Sequence, residues 1–165
     1  MEDDPVALRP LGRDDRGGIA AVLAAIAAFR PEEAAVALEM VDETLHPRPD
    51  TDYAWVVAER GGTVVGFACF GPVSMADGTF DLYWIAVHPD HARRGIAARL
   101  DDAATAQARA HPGARWLLAE TSGTPAYDAA RAFYQKRGYA LLGRVPDFYR
   151  PGDDRLTFGK RLDGD

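Results

Sequence analysis

The chain carries one cysteine, Cys69, in 165 residues. That excludes a disulfide framework within the chain. The apolar run around Cys69 suits a small buried residue in a reducing compartment. An excess of positive charge is also missing: 25 acidic residues stand against 19 basic ones, a formal net charge of −6. This excludes a nucleic-acid binder that depends on bulk positive charge and leaves a local basic patch, Arg93, Arg94 and Arg99. The start, Met1-Glu2-Asp3-Asp4, lacks the basic and apolar segments of a signal peptide, so the cytoplasm is the expected compartment. No long hydrophobic run occurs. The alanine-rich stretch Ile19–Phe29 is too short and too weakly apolar to span a bilayer, and no membrane partner is expected. Histidines are few: His46, His88, His91 and His111 have no ligand spacing beyond His88/His91 across a proline turn, so no metal is expected. Repeats, linkers and low-complexity segments are absent, which predicts a single domain over residues 1–165.

What is present is a foldable pattern. Hydrophobic residues make up 47% of the chain, enough for a sizeable core. Val6–Leu11 reads as a short strand. Asp14 or Asp15 can cap a helix carrying Ile19, Val22, Leu23 and Ile26 on one face. Pro31 opens a second helix with Ala34, Leu38, Val41 and Leu45 inward, stopped by His46-Pro-Arg-Pro-Asp50. Tyr53–Glu59 and Thr63–Phe70 form a hairpin about Arg60-Gly-Gly62. Met75–Thr79 is a turn, and Phe80–Val87 is a long strand. A helix follows from about Arg94 to Ala110, with Ile96, Leu100, Ala103 and Ala104 inward. Trp116–Thr121 is a strand, and Pro125 starts a helix facing inward through Ala126, Ala130 and Phe133. Tyr139–Val145 and Leu156–Lys160 are the last strands, separated by the aromatic loop Pro146–Asp154. Seven strands and four helices in this order predict an α/β (α+β) chain: a mixed sheet with helices on its faces.

The stretch Asp81–Leu100 carries the chemistry. An apolar strand enters a basic, glycine-bearing turn that leads straight into an amphipathic helix. The first amides of a helix lack intrahelical partners and carry the positive end of its dipole, which suits phosphate. Gly95 and Ala97 leave no bulky side chain between backbone and anion. A dinucleotide-binding Rossmann reading needs Gly-x-Gly-x-x-Gly after the first strand, whereas this turn lies mid-chain after hairpin strands and holds one glycine.

The element order, the turn Ala92-Arg93-Arg94-Gly95-Ile96-Ala97 and the later Ala132-Phe-Tyr-Gln-Lys-Arg-Gly-Tyr139 resemble the GNAT (Gcn5-related) N-acetyltransferases over nearly the whole chain. The family's Gln/Arg-x-x-Gly-x-Gly/Ala signature matches at Gly95 and Ala97 and departs at Ala92, where a polar side chain is usual. The resemblance implies the GNAT fold, acetyl-CoA as co-substrate and no metal. It implies a pyrophosphate cradle over Arg93–Ala98, held by the backbone amides of Arg94, Gly95, Ile96, Ala97 and Ala98, with Ala92 at the signature's first cofactor-contacting position, and that Ile85, Ala86 and Val87 pair with the pantetheine arm. One of those amides can also polarise the thioester carbonyl. Tyr134, beside Phe133, takes the place of the tyrosine that lies against the cofactor thiol. A phenol, with a reference pKa of about 10, is protonated at neutral pH and can serve as the acid. Asp81 matches by register the carboxylate that serves as base; His88 and Asp147 are alternatives, and many members lack a dedicated base. Thr121 and Ser122 stand where a polar side chain touches cofactor or acceptor, or else cap the following turn. Tyr83, Asp147, Phe148 and Tyr149 are candidate acceptor-binding residues, with Arg150, and Asp153 and Asp154 can favour a cationic amine. The acceptor is then an amine of a small molecule or a protein, and the family's habit of dimerising allows a homodimer. The alternative reading, kept open by Ala92, is a non-catalytic acyl-CoA-binding sensor or regulatory module.

Overall fold

A computed structural model of the chain describes residues 4–164. Its strands form a seven-stranded mixed sheet of order β1-β2-β3-β4-β5-β7-β6. The chain divides into two compact units, one made of the residues up to Phe70 with Trp84–Ala104, the other of Gly71–Tyr83 with the residues from Thr105 onward.

The first unit begins with β1 (Ala7–Arg9), α1 (Arg16–Ala25) and α2 (Pro31–Leu45). The strands β2 (Ala54–Arg60) and β3 (Thr63–Pro72) form the expected hairpin, in antiparallel register from Ala54↔Phe70 to Arg60↔Thr63. β1 joins β2 antiparallel. Burial of the helical stripes drives the packing: Ile19, Val22 and Leu23 of α1 and Ala37, Met40 and Val41 of α2 meet Trp55, Phe67 and Cys69 of the strands. Cys69 is free and buried, and burial pushes its thiol pKa far up, so it is inert here.

Two sequence expectations for this unit are corrected. Asp15 sits at the N-cap of α1 but makes no capping bond. Its carboxylate instead accepts from Arg9 at 2.6 and 2.8 Å and from the Gly12 amide at 2.6 Å. The buried carboxylate thus ties the loop after β1 to the strand, because a guanidinium is a stronger partner than a helix amide. The helix expected from Arg94 starts two residues later: α3 spans Ile96–Arg109. Arg93 (φ 60°) and Gly95 (φ 74°) lie in the left-handed region, which no right-handed helix can contain. Ile96, Leu100 and Ala104 are buried as expected, and Ala108 with them.

The second unit is built on β4 (Thr79–Val87) where it begins, β5 (Trp116–Ser122), α4 (Asp128–Lys136), β6 (Ala140–Arg150) and β7 (Asp153–Arg161). β4 and β5 run parallel with Asp81 beside Leu118. β7 inserts between β5 and β6, antiparallel to both. Gly78 makes the start of β4 possible. Its carbonyl accepts from Arg115 at 2.6 Å and Trp116 at 3.1 Å, and a Cβ there would meet the Gly113 carbonyl oxygen at 2.0 Å.

Two further expectations change. Pro125–Tyr127 form a 3-10 turn, and the α-helix proper begins at Asp128. The helix therefore turns Tyr134 inward and leaves Ala126 exposed. The loop expected over 146–154 is mostly strand. β6 and β7 run on to a turn at Pro151-Gly152, with a bulge that sets 146–149 against Asp154 alone. Proline and a left-handed Asp147 (φ 53°) fit a bulge, which is why the stretch reads as a loop.

Candidate active site

The candidate residues fall into two groups, one in each unit. In the first unit Ile85, Ala86 and Val87 end β4, and the His88 amide donates to the Val65 carbonyl at 2.8 Å. A 3-10 turn over Pro89–His91 follows, held by the Asp90 amide donating to His88 Nδ1 at 3.2 Å. This local bond makes His88 part of the turn that delivers the chain into the basic segment. Ala92, Arg93, Arg94 and Gly95 are all exposed there, and a Cβ built on Gly95 meets no atom within 4 Å. Ile96 is buried and anchors α3, with Ala97 and Ala98 half-buried beside it. The turn is thus an open cradle at the head of a 14-residue helix, with amides of Ile96–Ala98 that have no partner within the helix itself. Its exposed side chains include Arg93 and Arg94; burial first, then Arg60, Arg94 and His88, hold the neighbouring His91 imidazole below its ordinary pKa, against Asp90, which raises it. Such a cradle fits a diphosphate.

In the second unit α4 presents Tyr134, which is 8% exposed. Its ring lies 5.3 Å from Tyr139, 5.7 Å from Phe133 and 5.7 Å from Phe158 on β7. Its backbone carbonyl accepts from the Tyr139 amide at 3.0 Å past Gly138, which closes the end of α4 just before β6 begins.

Strand alternation sorts the rest. Leu117, Ala119 and Thr121 of β5 share a face with Phe158, the face that Tyr134 covers. The opposite face carries Leu118 and Glu120 of β5, Asp81 and Tyr83 of β4, and Thr157 and Arg155 of β7. Arg155 pairs with Glu120 at 3.8 Å and stacks 4.3 Å over the ring of Phe148, whose other neighbour is Tyr149 at 5.0 Å. The structure therefore brings Asp81, Tyr83 and Phe148 to one sheet face. It adds Glu120 and Arg155, which the sequence reading did not single out. Their alternation within each strand was visible, but their register with Asp81 comes from pairing between distant segments. Burial first, and then the Glu120 charge, raise the Asp81 carboxyl above its ordinary pKa, which makes it a stronger base.

Other candidates have structural partners. Thr121 is buried on the Tyr134 side. Ser122 donates to Asp153 at 2.5 Å and accepts from the Thr124 amide at 3.0 Å. Asp153 also pairs with Arg150, and Asp154 with Arg144 and the Asp147 amide. Asp147 accepts from the Gly152 amide at 2.7 Å. These three carboxylates hold the bulged arm together, whereas Asp81 and Glu120 stand apart from it on the sheet face. Among the described residues no group of three His, Cys, Asp or Glu side chains is placed to hold a metal ion. No described helix is long and apolar enough to cross a membrane.

A comparison with curated proteins finds no match. Among solved structures, a GNAT-family protein from Desulfovibrio desulfuricans is 36% identical, with a TM-score of 0.91 over 96% of this chain and 99% of that one. The ribosomal-protein-S18-alanine N-acetyltransferase from Escherichia coli shares the fold at a TM-score of 0.76 and 17% identity, covering 98% of this chain and 96% of that one. An aminoglycoside 6'-N-acetyltransferase complexed with coenzyme A does so at 0.76 and 17%, covering 96% and 98%. The family model described as Acetyltransferase (GNAT) family matches residues 22–139, which span the cradle, the buried tyrosine and the carboxylate face alike, and the chain belongs to the GNAT acetyltransferase family.

Proposed function

We propose that the protein is an acetyl-CoA-dependent N-acetyltransferase that moves an acetyl group to a primary amine of a small molecule or a protein, by direct attack with both substrates bound. The observation that carries this reading is the open cradle at Arg93–Ala98, left-handed at Arg93 and Gly95, with both arginines exposed and no atom near a Cβ on Gly95. The backbone of that cradle and the amides of α3 would hold the diphosphate of coenzyme A. Ile85, Ala86 and Val87 would offer peptide groups to the pantetheine arm. When bound, acetyl-CoA supplies an activated thioester.

The chain's own residues then have two proton tasks, taken from opposite faces of the sheet: Asp81 stands on the face of Tyr83 and Glu120, Tyr134 covers the other, and the reacting thioester would have to be reached from both. An ammonium cannot attack, so Asp81, with its raised basicity, takes a proton from the acceptor amine and leaves the nitrogen lone pair free. The neutral nitrogen would then attack the thioester carbonyl carbon and the carbon–sulfur bond would break. Tyr134 would give its phenolic proton to the departing sulfur, and the second proton shed by the nitrogen would restore the phenol through solvent. Glu120 adds negative charge beside Asp81, which favours a cationic acceptor.

The test is amine-dependent release of free thiol from acetyl-CoA across a panel of amines. The reading predicts release with at least one amine, and a Tyr134→Phe protein that keeps coenzyme affinity while losing turnover by about 10²-fold or more. Coenzyme binding with no transfer to any amine supports the alternative of a non-catalytic acyl-CoA-binding module, the reading that Ala92 in place of a polar side chain favours.

A further inference from the structure

α4 begins without the usual support. Neither Thr124, which opens the 3-10 turn, nor Tyr127, which precedes the α-helix, makes a side-chain cap bond. Arg131, a donor, cannot cap the first-turn amides, but it ties this end of the helix down through oxygen acceptors instead. It lies three residues before Tyr134 on α4, and its side chain is only 18% exposed. Its Nη1 donates to the Ser122 carbonyl at 2.7 Å and to the Thr124 carbonyl at 2.9 Å, while Nη2 pairs with Asp128 in the first turn. One planar guanidinium therefore engages the end of β5, the connecting loop and the start of the helix. A lysine ammonium is a compact point charge without that fork and cannot meet all three at once. The carbonyls it grips are themselves fixed: Ser122 donates to the buried Asp153 of β7 at 2.5 Å, and the Thr124 amide donates back to Ser122 Oγ at 3.0 Å.

We propose that Arg131 is a positioning residue for Tyr134: it pins the first turn of α4 to the end of β5, so that the tyrosine one turn further on is held in place from both ends of its helix. The far end is fixed by the Tyr139 amide on the Tyr134 carbonyl. A role in positioning differs from a role in stability alone. Positioning affects turnover of folded enzyme, because a displacement of about 1 Å can cost on the order of 10²-fold in rate. This inference rests on the reading of Tyr134 as the proton donor.

The experiment is a double-mutant cycle of Arg131→Ala and Tyr134→Phe, with kcat, KM for the amine and the dissociation constant for coenzyme A measured on folded protein. The expected result is a loss of about tenfold or more in kcat for Arg131→Ala, with KM and coenzyme affinity changed by less than about twofold. Arg131→Lys should fall between wild type and Arg131→Ala, and adding Arg131→Ala to Tyr134→Phe should cost nothing more. An unchanged kcat for Arg131→Ala overturns the proposal, and so does an equal loss with and without the tyrosine hydroxyl. Should Arg131→Ala not fold, Arg131→Lys carries the same cycle with a smaller effect. If Tyr134→Phe alone keeps full turnover, the proton-donor reading fails by itself. Positioning is then decided by the 19F signal of a fluorotyrosine placed at 134: a shift or broadening on replacing Arg131 supports it, and an unchanged signal overturns it.

Discussion

Asp81 owes its raised basicity first to burial and then to a neighbour that sequence order does not reveal. It was recognisable as a carboxylate at the head of an aromatic strand. Glu120, 39 positions later, became its companion only through the parallel register of β4 with β5, which sets Asp81 beside Leu118. Burial is the larger cause of its raised pKa and Glu120 the smaller one. The sign follows. A carboxyl raised by a neighbouring negative charge is lowered when that charge goes, so Glu120→Gln should move the acidic limb of kcat/KM to lower pH. Profiles of wild type and variant against the same amine check this; coincident limbs would remove Asp81 from the titration. Tyr134 stands out at this scale in the pattern Phe-Tyr-Gln-Lys-Arg-Gly, and the structure buries it. Arg155 was not, because nothing local to Asp-Asp-Arg-Leu says that its guanidinium pairs with Glu120 and lies over Phe148.

At the scale of elements, the helices and the first hairpin were written plainly. α2 begins at its proline, with the expected Ala34, Leu38 and Leu45 half-buried around a buried line of Ala37, Met40 and Val41, and Gly61-Gly62 turns the β2–β3 hairpin. Errors came where polar or turn-forming residues serve an element in an unusual way. Pro146 and Asp147 signal a loop, yet the sheet absorbs them in a bulge, with Asp154 bonded to the Asp147 amide. Asp15 signals a cap, yet Arg9 takes it. Gly78 shows the opposite case, a turn glycine whose necessity is steric as well as conformational. Its φ of 71° and the 2.0 Å approach of the Gly113 carbonyl to any Cβ leave no room for alanine. Gly78→Ala should destabilise the protein by about 3 kcal/mol or more. Urea denaturation checks it, and a midpoint within error of wild type would show that the two turns can separate.

For the whole molecule, the mixed sheet with four helices was foreseeable from the order of strands and helices, and the family from that order together with the turn at Gly95. The place of β7 between β5 and β6 was not, because no local pattern distinguishes a strand that returns inside its predecessor from one that adds at the edge. Ligand linkage applies at this scale. A coenzyme that binds only the folded chain stabilises it by about 2.7 kcal/mol at a hundredfold excess over its dissociation constant. For a chain of this size the melting temperature should then rise by about 5 °C or more. Thermal melts with and without coenzyme A check this, and equal melts at millimolar coenzyme would speak against a coenzyme site.

The central claim is that the left-handed turn at Gly95 grips the diphosphate of coenzyme A. Titration calorimetry of coenzyme A into the wild-type protein and into Gly95→Val tests it most directly, since a Cβ there meets no atom beyond its chain neighbours within 4 Å while the φ of 74° is one a β-branched residue rarely adopts. The account predicts saturable heat with the wild type and a loss of at least about tenfold in affinity for a variant that still folds. No heat from the wild type at millimolar coenzyme, or equal affinity in the two proteins, would contradict it.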